Sequence, residues 1–138
     1  KYIFSYPIKK IEISKAIVAS QHNLQKIVKI VHPEVRFSMN NFIKKNKHRK
    51  FIVLDIPLLM ENKINKKKDI LIFVDARKSE INKKLKKRPN VNLEIIKKFK
   101  KLQLPLKFKK KRSNFIIENN FKINSVKKSV KKVMEKIL

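Results

Sequence analysis

The 138-residue sequence contains no glycine and no cysteine. Glycine ordinarily makes up about 7% of a chain, so its absence is a strong compositional departure and rules out any motif that requires it. The lack of cysteine excludes disulfides and thiolate metal sites, which fits a reducing cytoplasm. The three histidines, His22, His32 and His48, are too scattered to make a zinc motif. Acidic residues are scarce, with 10 Asp and Glu against 38 Lys and Arg and a net charge of +28. Arginine is scarce too: Arg36, Arg49, Arg77, Arg88 and Arg112 are the whole set, and the remaining basic residues are lysine. The longest apolar runs, Ile56–Met60 and Ile70–Val74, are far too short to cross a bilayer. The opening residues do not read as a secretory signal. An opening Lys1 in place of methionine, together with the missing glycine, leads to the expectation that the sequence is part of a longer protein.

A hydrophobic content of 42% suits one compact domain with a core. The charge admits two readings. It can mark a nucleic-acid binder held by phosphate contacts, or a solvated lysine surface, since long charged side chains are the usual helix exterior. Three observations favour the second. Specific phosphate and base recognition prefers the bidentate arginine fork. Lysine, asparagine, isoleucine and phenylalanine share A/T-rich codons, whereas glycine has G-rich ones. The phenylalanines fall mostly at core-periodic positions and are not interleaved with arginine as stacking platforms would be.

Apolar spacing predicts helices over Glu12–Ala19 and Asn23–Ile30. Pro33 then suits the first position of a third helix, where a missing N–H has no partner to lose. Val35, Met39, Phe42 and Ile43 form that helix's apolar stripe, and it ends near Lys47. Phe51–Pro57 and Ile70–Val74 are continuous, branched apolar runs, expected as parallel strands buried on both faces. Ser79 is placed to cap a helix that stops at Arg88-Pro89. Another begins at Asn92 with Ile95, Ile96, Phe99 and Leu102 inward. Phe115–Ile117 reads as a third strand. Val126, Val130, Val133 and Ile137 define a last helix capped by Asn124 or Ser125. Strand–helix alternation after a helical stretch describes an α/β domain with a helical insertion.

Several ordered blocks resemble one family. His32-Pro33-Glu34-Val35-Arg36 is similar to the H-P-x-V-R segment of dephospho-coenzyme A kinases. Val53-Leu54-Asp55-Ile56-Pro57-Leu58-Leu59-Met60-Glu61 resembles their V-L-D-I-P-L-L-F-E block, and Val74-Asp75-Ala76 follows at the family's spacing. Lys87-Arg88-Pro89 resembles the start of the family's lid. Gln103-Leu104-Pro105-Leu106, Lys109 and Phe115-Ile116-Ile117-Glu118-Asn119 resemble its closing blocks, with Asn114 and Glu118 where aspartate is usual. Each block is weak alone; the ordered set, over about residues 10–138, is specific. The resemblance implies a P-loop kinase of the nucleoside-monophosphate-kinase type: a parallel α/β sheet with a helical substrate-binding insertion and a lid, its first strand or strands missing. Residues 1–50 would be the helical dephospho-CoA-binding segment, 51–87 and 113–138 the α/β core, and 88–112 the lid.

The implied reaction is transfer of the ATP γ-phosphoryl group to the ribose 3′-hydroxyl of dephospho-CoA, with Mg2+, the last step of coenzyme A synthesis. Such transfer depends on positioning and charge neutralisation. The family's G-x-x-x-x-G-K-S/T phosphate loop cannot be built from a sequence without glycine. That loop and the family's probable base would therefore lie upstream of Lys1, and this chain alone is expected to be inactive and poorly stable. No membrane and no specific nucleic-acid partner are expected, and the cytoplasm is the expected location. Another kinase sharing the fold is a further reading that these blocks disfavour.

Candidate site residues follow from chemistry and resemblance together. Arg36 stands one residue past the apolar stripe and can face an anionic substrate; a surface ion pair is its bland alternative. His32 is either a substrate contact or a helix-entry residue. Asp55 interrupts an apolar run, so it needs a donor, a cation or solvent at the end of its segment. Pro57 and Leu58 complete the implied substrate turn, and Glu61 lies just beyond it. Arg88 precedes a proline at a helix end, where it can neutralise charge on the transferring phosphate or merely complement the helix terminus. Gln103 and Lys109 match lid positions, with Lys109 lying in a basic run.

Overall fold

The computed structural model describes residues 2–89 and 92–138. In chain order its elements are α1 (Lys10–Ala19), α2 (Gln21–Lys45), β1 (Ile72–Asp75), α3 (Lys78–Lys86), α4 (Leu93–Leu102), α5 (Leu106–Arg112), β2 (Phe115–Glu118) and α6 (Ile123–Ile137). They fall into two units, one comprising residues up to Pro57 together with Leu93–Lys101, the other Leu58–Asn92 together with Leu102–Leu138. The expected lid segment 88–112 is divided between them, α4 with the first unit and α5 with the second.

In the first unit α1 and α2 meet at Ser20, whose extended backbone turns the chain. Its hydroxyl accepts from the His22 N–H at 3.1 Å, the usual N-cap arrangement. Asn23 Nδ2 then donates to the Ala16 carbonyl at 3.0 Å. Lys98 of α4 donates to the Ile17 and Val18 carbonyls at 2.9 and 2.8 Å. Carbonyls in the last turn of α1 have no partner within the helix, and a cation there also complements the helix dipole. The core of this unit is small: Ala16, Ile17 and Leu24 are buried, with Leu24 at 2% exposure.

Two expectations are corrected here. Pro33 does not begin a helix; it lies within the continuous α2. Its ring and missing N–H normally cost about 3 kcal/mol in a helix interior. The carbonyl that loses its bond belongs to Lys29, and both residues are exposed to water. Leu24, Ile27, Val28, Val31, Val35, Met39 and Phe42 keep one stripe in phase across the proline, although only Leu24 of them is buried. Phe51–Pro57 is not a strand buried on both faces. It is free of ladder pairing, with Ile52, Leu54 and Ile56 half-buried and the alternate residues exposed, Val53 at 87%. Apolar alternation sets an extended backbone, but a strand also needs a neighbour for its N–H and C=O groups.

The second unit holds a two-stranded parallel sheet, β1 with β2, in register from Ile72↔Phe115 to Asp75↔Glu118. Asn114 sets the entry to the ladder. Its side-chain oxygen accepts from Leu71 N at 2.8 Å, and its own N–H donates to the Leu71 carbonyl at 2.8 Å. The Asn119 N–H closes the other end on the Asp75 carbonyl at 2.7 Å. Helix α6 packs on β2 and buries Val133, whereas Ile72 and Val74 of β1 stay 42% and 56% exposed. The helix caps differ from expectation. Ser79 lies inside the first turn of α3, after Arg77 at the cap. Lys122 stands at the N-cap of α6. Asn119 and Asn120 instead accept from the N–H groups of Phe121 and Lys122 at 2.9 and 3.0 Å, a turn that delivers the chain to α6.

A chain without glycine must place other residues wherever the backbone turns left-handed. Leu58, Lys63 and Phe121 have φ of 57°, 50° and 62°, each at a cost of roughly 1–2 kcal/mol relative to a right-handed conformation. The first two bracket the compact turn after Pro57. It is closed by Asn62 N to Leu58 O at 3.0 Å and Lys63 N to Met60 O at 3.1 Å.

Candidate functional site

In the first unit, α2 and the extended segment beside it form an open groove of about 510 Å3. Val31, Val35, Met39 and Phe42 make one wall and Val53 to Ile56 the other, with the carboxylates of Glu34 and Asp55 and the Ser38 hydroxyl as its polar groups. The H-P-E-V-R block and the L-D-I-P block, about 20 residues apart in sequence, therefore converge on one concavity. Carboxylates in an apolar groove accept from hydroxyl and amine donors and disfavour a phosphate beside them. His32 and Arg36 lie on α2, His32 half-buried and Arg36 exposed. Asp55 and Pro57 are exposed in the extended segment.

The other candidates belong to the second unit. Leu58 opens the left-handed turn. Arg88 is exposed just past the end of α3, its N–H held by the Leu85 carbonyl at 3.1 Å. Gln103 is exposed in the link between α4 and α5. Glu61 and Lys109, selected separately as substrate and lid residues, are brought together. Glu61 Oε1 accepts from Lys109 Nζ at 3.1 Å and from the Leu104 N–H at 2.9 Å. The two side chains are 9% and 17% exposed. Burial, the largest single influence, raises the Glu61 pKa. Hydrogen bonds from its own N–H, from Leu104 N and from Lys109, with the charge of Lys109, outweigh it and hold the carboxyl below its usual range.

The adjacent Lys110 turns to the other side of α5. Its ammonium pairs with Asp75 at the end of β1 and lies 5.9 Å from the Phe73 ring centroid. Residue-level reasoning missed this second tie, and it missed Glu34 and Ser38 in the groove. Asp75 carries the same signal as Asp55, a carboxylate ending an apolar run. Lys110 is hidden in a lysine run, where only helical phase separates inward from outward side chains.

Helices and a small parallel sheet make this an α/β chain. Its relatives give the particular family. A family profile for dephospho-CoA kinase matches residues 8–125. Dephospho-CoA kinase of Bartonella quintana is 29% identical over 133 residues, covering 95% of this chain and 68% of the relative. Those of Wolbachia pipientis wMel and of the Wolbachia of Brugia malayi are 32% and 30% identical, covering 91% and 94% of this chain and 65% and 67% of the relatives. The chain thus spans about two thirds of the length of the relatives it matches. It belongs to the dephospho-CoA kinase family. The family is one of phosphotransferases acting at the final step of coenzyme A synthesis, and it implies a P-loop kinase fold with ATP as a substrate. The nucleic-acid reading finds no support among these relatives. No helix among the described residues is long and apolar enough to cross a membrane.

Proposed function

We propose that this chain carries the dephospho-CoA side of an ATP-dependent transfer of phosphate to the ribose 3′-hydroxyl. The convergence of the H-P-E-V-R and L-D-I-P blocks on the α2 groove carries the reading. The groove's apolar walls suit the uncharged parts of the substrate, and Asp55 and Glu34 are acceptors for its hydroxyl and amine donors. Arg36, one residue past Val35, serves the anionic part. His32, Pro57 and Leu58 shape the approach to the groove and the turn that follows it. Arg88 at the start of the lid is the cation proposed for charge developing on the transferring phosphate.

None of the residues is glycine, so no glycine-rich phosphate loop is formed by them, and no grip on the ATP phosphates is assigned to any of them. Magnesium accompanies ATP in kinase chemistry, but among the described residues no three His, Asp or Glu side chains converge on a metal position.

Calorimetric titration of the chain with dephospho-CoA tests the proposal. Dephospho-CoA should bind, and Arg36→Ala should weaken it by about tenfold or more, the scale of a charged hydrogen bond. Absence of binding, or equal binding by the Arg36→Ala and Asp55→Asn variants, would sink it.

A further inference from the structure

We infer that Glu61 is a positioning residue. It holds Gln103–Pro105 and α5 against the turn at Leu58–Lys63, and it touches no substrate itself. The inference rests on the functional reading above for its link to ligand binding, but the tether can be tested without a ligand.

Three observations carry it. Glu61 is the most enclosed of the ion-paired carboxylates, at 9% exposure, and one of its oxygens already takes both the Leu104 N–H and the Lys109 ammonium. An anion so placed repels phosphate, and the Lys109 charge it neutralises is withdrawn from any phosphate nearby. Leu104 is followed by Pro105, which has no N–H, and α5 starts at the next residue. The Leu104 N–H is therefore the donor that fixes the approach to the helix. Finally, α5 is secured a second time. Lys109 and Lys110, successive on the helix, reach two different carboxylates, Glu61 within the turn and Asp75 at the end of β1. Two anchors pointing in different directions fix both the position and the rotation of α5. Gln103, one residue before the anchored N–H, is thereby given a defined place, and Glu61 acts on ligands through that segment.

The test compares Glu61→Ala and Glu61→Gln in the purified chain. Glutamine keeps an oxygen for Leu104 and gives up the charge that holds Lys109; alanine gives up both. Amide exchange at Leu104 should accelerate about tenfold or more in Glu61→Ala and stay within about threefold of the parent in Glu61→Gln. Acylation of the Lys109 amine, read by mass spectrometry, should speed up about tenfold in Glu61→Gln, because the isosteric change releases the ammonium without disturbing the fold. Dephospho-CoA affinity should fall about tenfold in Glu61→Ala and stay within about threefold in Glu61→Gln. Unchanged Leu104 exchange in Glu61→Ala, or unchanged Lys109 reactivity in Glu61→Gln, overturns the tether. Loss of affinity in Glu61→Gln as large as in Glu61→Ala, with Leu104 still protected, overturns it in favour of direct ligand contact. If the parent chain binds no dephospho-CoA, the functional reading falls, and the exchange and acylation results still decide the tether.

Discussion

The two units are drawn from the same lysine-rich composition and are held together by different means. In the first, α1 crosses α2 over Ala16, Ile17 and Leu24, which are three of the four buried apolar residues in the described chain, and the distant tie that supports them is a lysine on uncharged carbonyls, Lys98 with Ile17 and Val18. The second has Val133 as its one such residue and relies on polar ties between distant positions: Glu61 with Lys109, Asp75 with Lys110, and Asn114 with Leu71. These ties close loops of 48, 35 and 43 residues. Apolar burial is indifferent to pH and nearly so to salt, whereas carboxylate anchors are sensitive to both. The first unit should therefore fail by loss of volume and the second by loss of charge.

The most severe break is expected at Leu24. Replacing a side chain at 2% exposure with alanine removes the centre of the α1–α2 crossing, at about 2–5 kcal/mol. Amide protection should collapse in α1 and α2 and persist in β1 and β2; equal loss in both units would show that they are not stabilised separately.

Function should divide along the same line. Arg36→Ala should act mainly on dephospho-CoA affinity. In a full-length form of the enzyme that carries a phosphate loop, Arg88→Ala should lower turnover by about 100-fold, with affinity within about threefold, because a cation at the transferring phosphate acts on charge that develops in the transition state. Parallel kinetic and calorimetric measurements decide this, and small, equal effects of Arg88→Ala on both would make it a helix-end cation.

Acid should loosen the second unit before it touches the core of the first. The Glu61 carboxyl is held below the usual value of 4.5, so its contribution is complete above that pH and is lost as pH falls through the lowered value. The Leu104 amide resonance should drift toward its unfolded position as pH falls below 4.5, and Glu61→Gln should abolish the drift. Glu12 is also held low, chiefly by the Ser5 hydroxyl. Its loss frays the first turn of α1, at the end of that helix away from Ser20, where α1 meets α2, so Leu24 methyl signals should stay in place.

The smallest effect expected is a gain. Lys63 is exposed with φ of 50°, and Lys63→Gly removes a left-handed penalty of roughly 1–2 kcal/mol while adding unfolded-state entropy of about 0.5–1 kcal/mol. A rise in melting temperature of a few degrees is expected, and a fall would show that the side chain contributes more than its exposure suggests.

Helical periodicity located α1, α4 and α6 to within a few residues because each has an apolar face that must be covered. It misjudged Pro33, where a local rule about one residue was applied within a stripe that stays in phase on both sides. The strands at Ile72 and Phe115 were legible, and Phe51–Pro57 was legible as extended chain, but pairing is a property of two segments and one run of residues cannot specify its neighbour. Among the candidate residues, Asp55 was found by the oddity of a carboxylate in an apolar run. Glu61 and Lys109 were each singled out as candidates, yet their mutual bond was invisible: it spans 48 residues, and nothing in either local pattern refers to the other.

The β1 edge has a consequence for how the protein behaves in a test tube. Ile72 and Val74 stand open beside a sheet with one neighbour for each strand, an arrangement that invites a second copy to add its own strand. At a net charge of +28, two copies repel strongly before their edges can meet. The Debye length shrinks from about 10 Å at 0.1 M salt to about 3 Å at 1 M, so that barrier falls as salt is added. The chain should act as a charge-stabilised colloid, dispersed in dilute buffer and clouding as ionic strength climbs, the reverse of the salt tolerance expected of a closed, neutral globule.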